Sequence, residues 1–195
     1  GVMYWEVEPL IAAIPGALQT LGRWGVARPA ELWLCYLIAI LHWSDLATAE
    51  GICQRYRLNR KQVEKVRAAL AGWRTAVNML SLERPPRTSV LARTILSLPR
   101  EAYPLVLALL EEDRWLARLE GVFRAIKEHK PTITGKDIKN LGVLPGPVFK
   151  QALEAVWQAR LDNVVQSREE ELAFVKQYLA GVREGERIAS PTGTG

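Results

Sequence analysis

Histidine, cysteine and aspartate are all scarce in this sequence: two, two and four among 195 residues. Cys35 and Cys53 have no second Cys or His at zinc-ligand spacing, which argues against a zinc finger and a disulfide scaffold and leaves two buried free thiols. The four aspartates, Asp45, Asp113, Asp137 and Asp162, stand far apart. No Asp-x-Asp pair is therefore present to hold the two metal ions of a nucleotidyl- or phosphoryl-transfer centre. No G-x-S-x-G elbow occurs and no Cys adjoins a His, so the common nucleophile motifs are missing too. The longest apolar run, Leu32 to Leu41, is little more than half of the ~18 residues that suggest a membrane span. Gly1 to Pro9 lacks a basic start followed by an apolar block, so no secretory signal is read there. These gaps predict a cytoplasmic chain with no catalytic residue, no metal site and no cofactor of its own.

What the sequence does have is charge in one place. The net charge is +5. Residues 1–54 carry two basic and five acidic side chains, residues 55–100 eleven basic and two acidic, and residues 101–195 thirteen and fourteen. A +9 excess thus sits in one 46-residue window. A field so localised attracts polyanions, whereas a merely solvated helix face intersperses acids. Nucleic acid is the partner it points to.

Helical periodicity runs through the whole chain, and no stretch shows sustained period-two alternation. The fold class is all-α. Glu8 to Gln19 reads as a helix interrupted at Pro15-Gly16. Pro29 opens a helix to about Trp43 that is apolar on every side, which predicts a central core helix. Another covers Asp45 to Tyr56. Asn59, with Gln62 three residues on, is a capping box that starts the basic helix. There Val63, Val66, Leu70 and Trp73 form an apolar stripe, and Arg60, Lys61, Lys65, Arg67 and Arg74 fill the other positions. Short helices follow near Val90–Leu96 and Arg100–Leu110, then a longer one from Asp113 to about His129, ended by Lys130-Pro131. Thr134 to Asp137 opens a capped short helix, Pro147 a helix to about Arg160, and Ser167 with Glu170 a second capping box. A helical body over 1–112, a smaller helical unit over 113–180 and a flexible tail over 181–195 are expected, with a soft boundary within 112–130.

Isolated candidates for chemistry read more plainly as structure. Glu111-Glu112-Asp113 and Glu169-Glu170-Glu171 sit at helix starts, where acids suit the positive end of the dipole. His42 lies on the apolar helix and reads as a hydrogen-bonded core residue. Trp33, Trp43, Trp73, Trp115 and Trp157 fall on predicted helices at apolar-face spacing, which reads as core packing for most of them, and Tyr56 and Trp73, which border the basic helix, remain the aromatic candidates for stacking on RNA.

The segment Lys130-Pro-Thr-Ile-Thr-Gly-Lys-Asp-Ile-Lys-Asn-Leu-Gly-Val-Leu-Pro-Gly-Pro147 is followed by Gln158-Ala-Arg-Leu-Asp162 and Ser167-Arg-Glu-Glu-Glu-Leu172. In order and spacing these resemble the C-terminal part of class II tRNA nucleotidyltransferases, the CCA-adding enzymes and the related bacterial poly(A)-polymerase-like proteins. Weaker segments extend the resemblance upstream: Arg57-Leu-Asn-Arg60 resembles the step into a body helix, and Glu31 to Ile38 resembles the body helix of the variant with CBS modules. Asn163 departs from the glycine the family usually has after Leu-Asp. The family's head, with its two-magnesium G-S/G-x-x-D-x-D motif, and its nucleotide-selecting neck motif E-D-x-x-R have no counterpart; Glu112-Asp113-Arg114 is too compact.

The resemblance implies the body and tail of a longer enzyme, with magnesium and ATP or CTP belonging to a missing N-terminal head in cis. Given those reagents and a tRNA lacking its 3′ end, this chain alone is expected to add no nucleotide. Body and tail would hold the acceptor/T-arm stem of tRNA or another structured RNA, consistent with the +9 window. Arg57, Arg60, Lys61, Arg67 and Arg74 would contact phosphates. Gly135 and Lys136, at a helix start, would offer backbone N–H groups and an ammonium to another phosphate. The Pro145-Gly146-Pro147 turn would fix the angle between two tail helices. The competing expectation is an all-helical protein-interaction module whose basic face meets an acidic protein or its own missing domain; the missing-head version implies an exposed apolar patch near Trp5 and Leu10.

Overall fold

The computed structural model describes residues 4–143 and 146–189, with side chains over 7–143 and 146–181. Among the described residues there are ten α-helices and a single 3-10 turn, with no strand. The helices are α1 (Tyr4–Arg23), α2 (Leu32–Leu41), α3 (Leu46–Arg55), α4 (Arg60–Ser81), α5 (Thr88–Ser97), α6 (Tyr103–Ala108), α7 (Asp113–Glu128), α8 (Gly135–Asn140), α9 (Pro147–Leu161) and α10 (Arg168–Ala189); the 3-10 turn covers Arg100–Ala102. The all-α expectation holds.

Two compact units divide the chain, Gly1–Arg124 and Ala125–Gly195, and α7 runs from one into the other. In the first unit α1 packs on α2 and α6, while α4 packs on α2, α3, α5 and α6. Ile14, Leu34, Ile38, Val66, Leu80, Ile95 and Leu105 are fully or almost fully buried there. Arg118 of α7 donates to the carbonyls of Leu80 and, at 2.7 Å, of Leu82. It thereby satisfies groups that the end of α4 leaves without helical partners.

Three local expectations need correction. Pro15 does not interrupt α1, which passes through both Pro9 and Pro15. A helix-interior proline costs about 3 kcal/mol, and burial of Ile14, Ala17 and Leu21 on the same helix offsets it. Pro29 does not open α2. The helix begins at Leu32 with Glu31 at its N-cap position, and the Glu31 carboxylate accepts from Gln62 (2.6 Å) and Lys65 (2.8 Å) without capping its own helix. Nor is α2 covered all round. One face buries Leu34, Cys35, Ile38 and Ala39, whereas Trp33 and Ile40 on the other are each 47% exposed. A helix apolar on every side gives no periodic hint of which side is covered.

In the second unit, Ile133, Ile138, Ala152, Val156, Val175 and Leu179 form the core, with α8 and α10 both packed on α9. α10 continues past Leu179 to Ala189. The Trp5 side chain, Pro145 and residues 190–195 lie outside the described residues, and Leu10 is half-buried. Gly146 adopts an extended backbone, φ 173°, that any residue could take.

Candidate nucleic-acid interface

The basic segment begins in a turn that its own backbone holds. Arg57 N–H donates to Gln54 O and Leu58 N–H to Cys53 O, both at 3.0 Å. Together these close α3 with the paired bonds of a Schellman motif, which places Arg57 at the left-handed position, φ 54°. A non-glycine residue there is uncommon. Two residues later Asn59 caps α4: its side chain accepts from Gln62 N–H at 3.1 Å, and the Gln62 side chain accepts from Asn59 N–H at 3.0 Å.

On α4, Val66, Ala69, Trp73, Ala76 and Leu80 face the core. Arg60, Arg67 and Arg74 recur every seven residues on the opposite, exposed face, about 10 Å apart at ~1.5 Å per residue, with exposed Lys61 beside Arg60. Arg60 and Lys61 occupy the first turn, where no acid stands. Cations at a helix N-terminus add to the positive end of the dipole, at a cost to stability of typically ~0.3–1 kcal/mol each. The site concentrates positive potential where the helix itself would prefer an acid.

Partners separate these cations into two groups. Arg60 pairs with Glu64 at 2.9 Å and Arg67 with Glu50 at 2.7 Å, both in solvent. Such pairs contribute about 0–1 kcal/mol, so either arginine can exchange its carboxylate for a phosphate at little cost. Lys65 is different. It turns inward to Glu31 (2.8 Å) and to the buried Glu101 (2.6 Å). The hydrogen bonds it donates, to Glu101 first and Glu31 second, hold its pKa above the ordinary lysine value, and those that Glu31 accepts from Gln62 and Lys65 hold the Glu31 carboxyl below the usual range. Lys65 ties three segments together and is not part of the exposed face. Of the aromatic candidates, Tyr56 is 73% exposed but Trp73 only 7%. The exposed indole near Arg74 is Trp43, which the spacing had assigned to the core.

Gly135 and Lys136 belong to the second unit, and the α4 cations to the first. A Cβ on Gly135 would lie 2.9 Å from the Phe149 ring, so close packing explains the glycine. The start of α8 is already capped. Asp137 accepts from Thr134 N–H at 2.7 Å and from its hydroxyl at 2.9 Å, which holds the Asp137 carboxyl below the usual range. Arg168 completes the arrangement, donating to Thr132 O at 3.1 Å and to Asp137 at 2.5 Å. Lys136 remains exposed.

No family model matches the chain. It is similar to the A-adding tRNA nucleotidyltransferase of Geobacter sulfurreducens, 24% identical over an alignment of 183 residues that covers 85% of this chain and 20% of that protein. Its fold is similar to that of Thermotoga maritima CCA-adding enzyme complexed with tRNA: TM-score 0.68 and 22% identity over 88% of this chain and 40% of that one. CCA-adding enzyme in complex with ATP gives 0.67 and 22% over 90% and 39%. The fold is one that CCA-adding enzymes contain. The likeness to tRNA nucleotidyltransferases carried by the segments from Lys130 to Leu172 thus extends over most of the chain. The chain spans a fifth of the curated relative's length and about two fifths of the solved structures.

The segments that carry the resemblance hold the second unit together. Glu171 is fully buried and accepts from the backbone N–H of Thr132 (2.9 Å) and Ile133 (2.9 Å) and from the Thr132 hydroxyl (2.8 Å). Arg160 Nε lies 3.3 Å from the same carboxylate, without hydrogen-bond alignment. Glu170 accepts from Gln166 N–H at 2.6 Å and Ser167 N–H at 3.3 Å while Ser167 accepts from Glu170 N–H at 3.2 Å, the capping box expected of α10. Asn163 takes φ 56°. Asparagine tolerates this left-handed conformation better than most residues, so it serves where glycine would.

The described residues do not gather the donor set that a pair of magnesium ions needs. Among the described residues no three His, Cys, Asp or Glu side chains come together. Asp45 caps α3 through Thr48, and Asp137 is committed to Thr134 and Arg168. His42 is buried, its Nδ1 donating to Ala39 O at 2.6 Å, as expected of a core histidine. Burial pushes the Cys35 thiol up to about 11 and raises that of Cys53 as well. Both should therefore react with a thiol reagent at pH 8 far more slowly than free cysteine (pKa ~8.5) until the chain is unfolded. Labelling of folded protein at the free-cysteine rate would contradict this. No described helix is long and apolar enough to cross a membrane.

Proposed function

We propose that this chain is the RNA-holding, C-terminal body and tail of a class II tRNA nucleotidyltransferase or poly(A)-polymerase-like enzyme, working in the cytoplasm. It grips the acceptor/T-arm stem by its phosphates while a catalytic head elsewhere in the enzyme, with magnesium and ATP or CTP, extends the 3′ end. The observation that carries this reading is the exposed row of Arg60, Arg67 and Arg74 with Lys61 at the start of α4. The match to a CCA-adding enzyme complexed with tRNA supports it. A-form RNA is recognised by shape, phosphates and 2′-hydroxyls, so a ladder of cations without base-reading side chains suits it. Arg57 and Lys136 are further phosphate contacts in this reading; Gly135 serves packing.

The test is titration of an acceptor/T-arm minihelix at a series of salt concentrations. Affinity should fall with a log–log slope corresponding to roughly three to six neutralised phosphates, at ~0.9 per phosphate. Salt-independent binding, or none, would remove the reading. The exposed Trp33 and Ile40 favour the second reading, a helical module for a protein partner, and preference for an acidic protein over the minihelix at equal ionic strength would select it.

Arg57 permits a separate check. Arg57→Gly relieves the left-handed strain and should stabilise the chain in urea by up to about 1 kcal/mol. The same change should weaken RNA binding, since it deletes a phosphate contact. A variant that gains stability and keeps full affinity would place Arg57 outside the interface.

A further inference from the structure

Trp43, just beyond α2, is 48% exposed although its neighbours hold it in place. Its ring centroid lies 4.9 Å from that of His42 and 6.2 Å from that of the buried Trp73, edge to face. His42 is itself anchored to Ala39 O and packed edge-on against Trp73 at 5.3 Å. The Arg74 guanidinium lies over both indoles, 5.7 Å from the centroid of Trp43 and 5.2 Å from that of Trp73. The result is a half-exposed indole, held in orientation, with the last arginine of the α4 row against its ring.

Phosphate contacts make no use of such a surface. Within a continuous A-form stem the bases stack on one another and offer a protein mainly phosphates, 2′-hydroxyls and shape. An unpaired base has a free π-face, and stacking on an aromatic side chain is sequence-tolerant because every base has one. An aromatic ring already ordered before binding also avoids most of the entropy cost of fixing a side chain. We propose that Trp43 is a stacking platform for an unpaired nucleotide adjoining the gripped stem, with Arg74 paired to that nucleotide's phosphate. The RNA class is then a stem interrupted or closed by unpaired nucleotides, not an unbroken duplex. This rests on the RNA reading of the α4 face.

The experiment compares a blunt RNA duplex with the same stem closed by an unpaired loop, at fixed salt, for the unaltered chain, Trp43→Leu and Trp43→Phe. Leucine keeps apolar bulk against Trp73 without a π-face, and phenylalanine restores one. The unaltered chain should bind the looped RNA roughly five- to 150-fold more tightly than the duplex, the range set by one stacked base. Trp43→Leu should lose that preference while keeping its duplex affinity, and Trp43→Phe should recover much of it. Equal affinity for both RNAs, unchanged by Trp43→Leu, would overturn the platform and leave the phosphate grip standing. If neither RNA binds in a salt-dependent way, the RNA reading itself fails and takes the platform with it.

Discussion

Glu171→Ala should destabilise the second unit by about 3–5 kcal/mol, the usual cost of removing one partner from a buried ion pair. The carboxylate is wholly buried and is the acceptor for two backbone N–H groups, of Thr132 and Ile133, and for one hydroxyl. Arg160, only 14% exposed at its side chain, would lose the neighbouring charge. Each orphaned buried donor adds a penalty of ~1–3 kcal/mol unless water reaches it. A domain of this size has a total stability of order 5–10 kcal/mol, at ~0.05–0.15 kcal/mol per residue. The substitution therefore consumes a large share of it. Glu171→Gln, which retains an acceptor but not the charge, should fall between. Hydrogen exchange checks both size and place: the amides of Thr132 and Ile133 should lose protection while those in the middle of α4 keep theirs. Unaltered exchange at Thr132 and Ile133 would show that the buried carboxylate contributes little.

That lock also shows how far the sequence can be read. Ser167 with Glu170 and Asn59 with Gln62 were legible as capping boxes because each operates across three residues. The apolar stripe of α4 was legible for the same reason, since helical periodicity is local. Glu171 reads as one more acid at a helix start. Its partners lie 38 and 39 residues upstream, on a segment whose approach depends on the packing of α8 and α10 on α9. Lys65 is a parallel case: it looks like any other member of the basic helix, yet its partners are 34 and 36 residues away. Trp43 and Trp73 show a related limit. Both sit among apolar residues, and only the tertiary arrangement decides which indole is covered. The row of Arg60, Arg67 and Arg74 needed no such information, because long cations opposite an apolar stripe have nowhere to go but solvent.

Reversing Lys61 and Arg67 together, as Lys61→Glu with Arg67→Glu, should weaken binding to every RNA stem by roughly thirtyfold at 0.15 M salt. Loss of two phosphate contacts removes about 1.8 from the log–log salt slope. Carried from 1 M down to 0.15 M, that slope yields the thirtyfold, and repulsion from the new carboxylates can only increase it. Stems of different sequence should lose alike, because phosphate contacts position the RNA without reading its bases. The fold should tolerate the change. Arg67→Glu turns an exposed pair with Glu50 into a like-charge contact in solvent, at a cost of about 1 kcal/mol. Lys61→Glu places an acid in the first turn of α4, where the helix dipole favours it by ~0.3–1 kcal/mol. The two effects nearly cancel, so melting should shift little while RNA affinity collapses. If the basic face serves only structure, the pattern inverts: the double variant melts earlier and binds RNA as before. A well-folded double variant with undiminished affinity and an unchanged salt slope would move the RNA surface off α4.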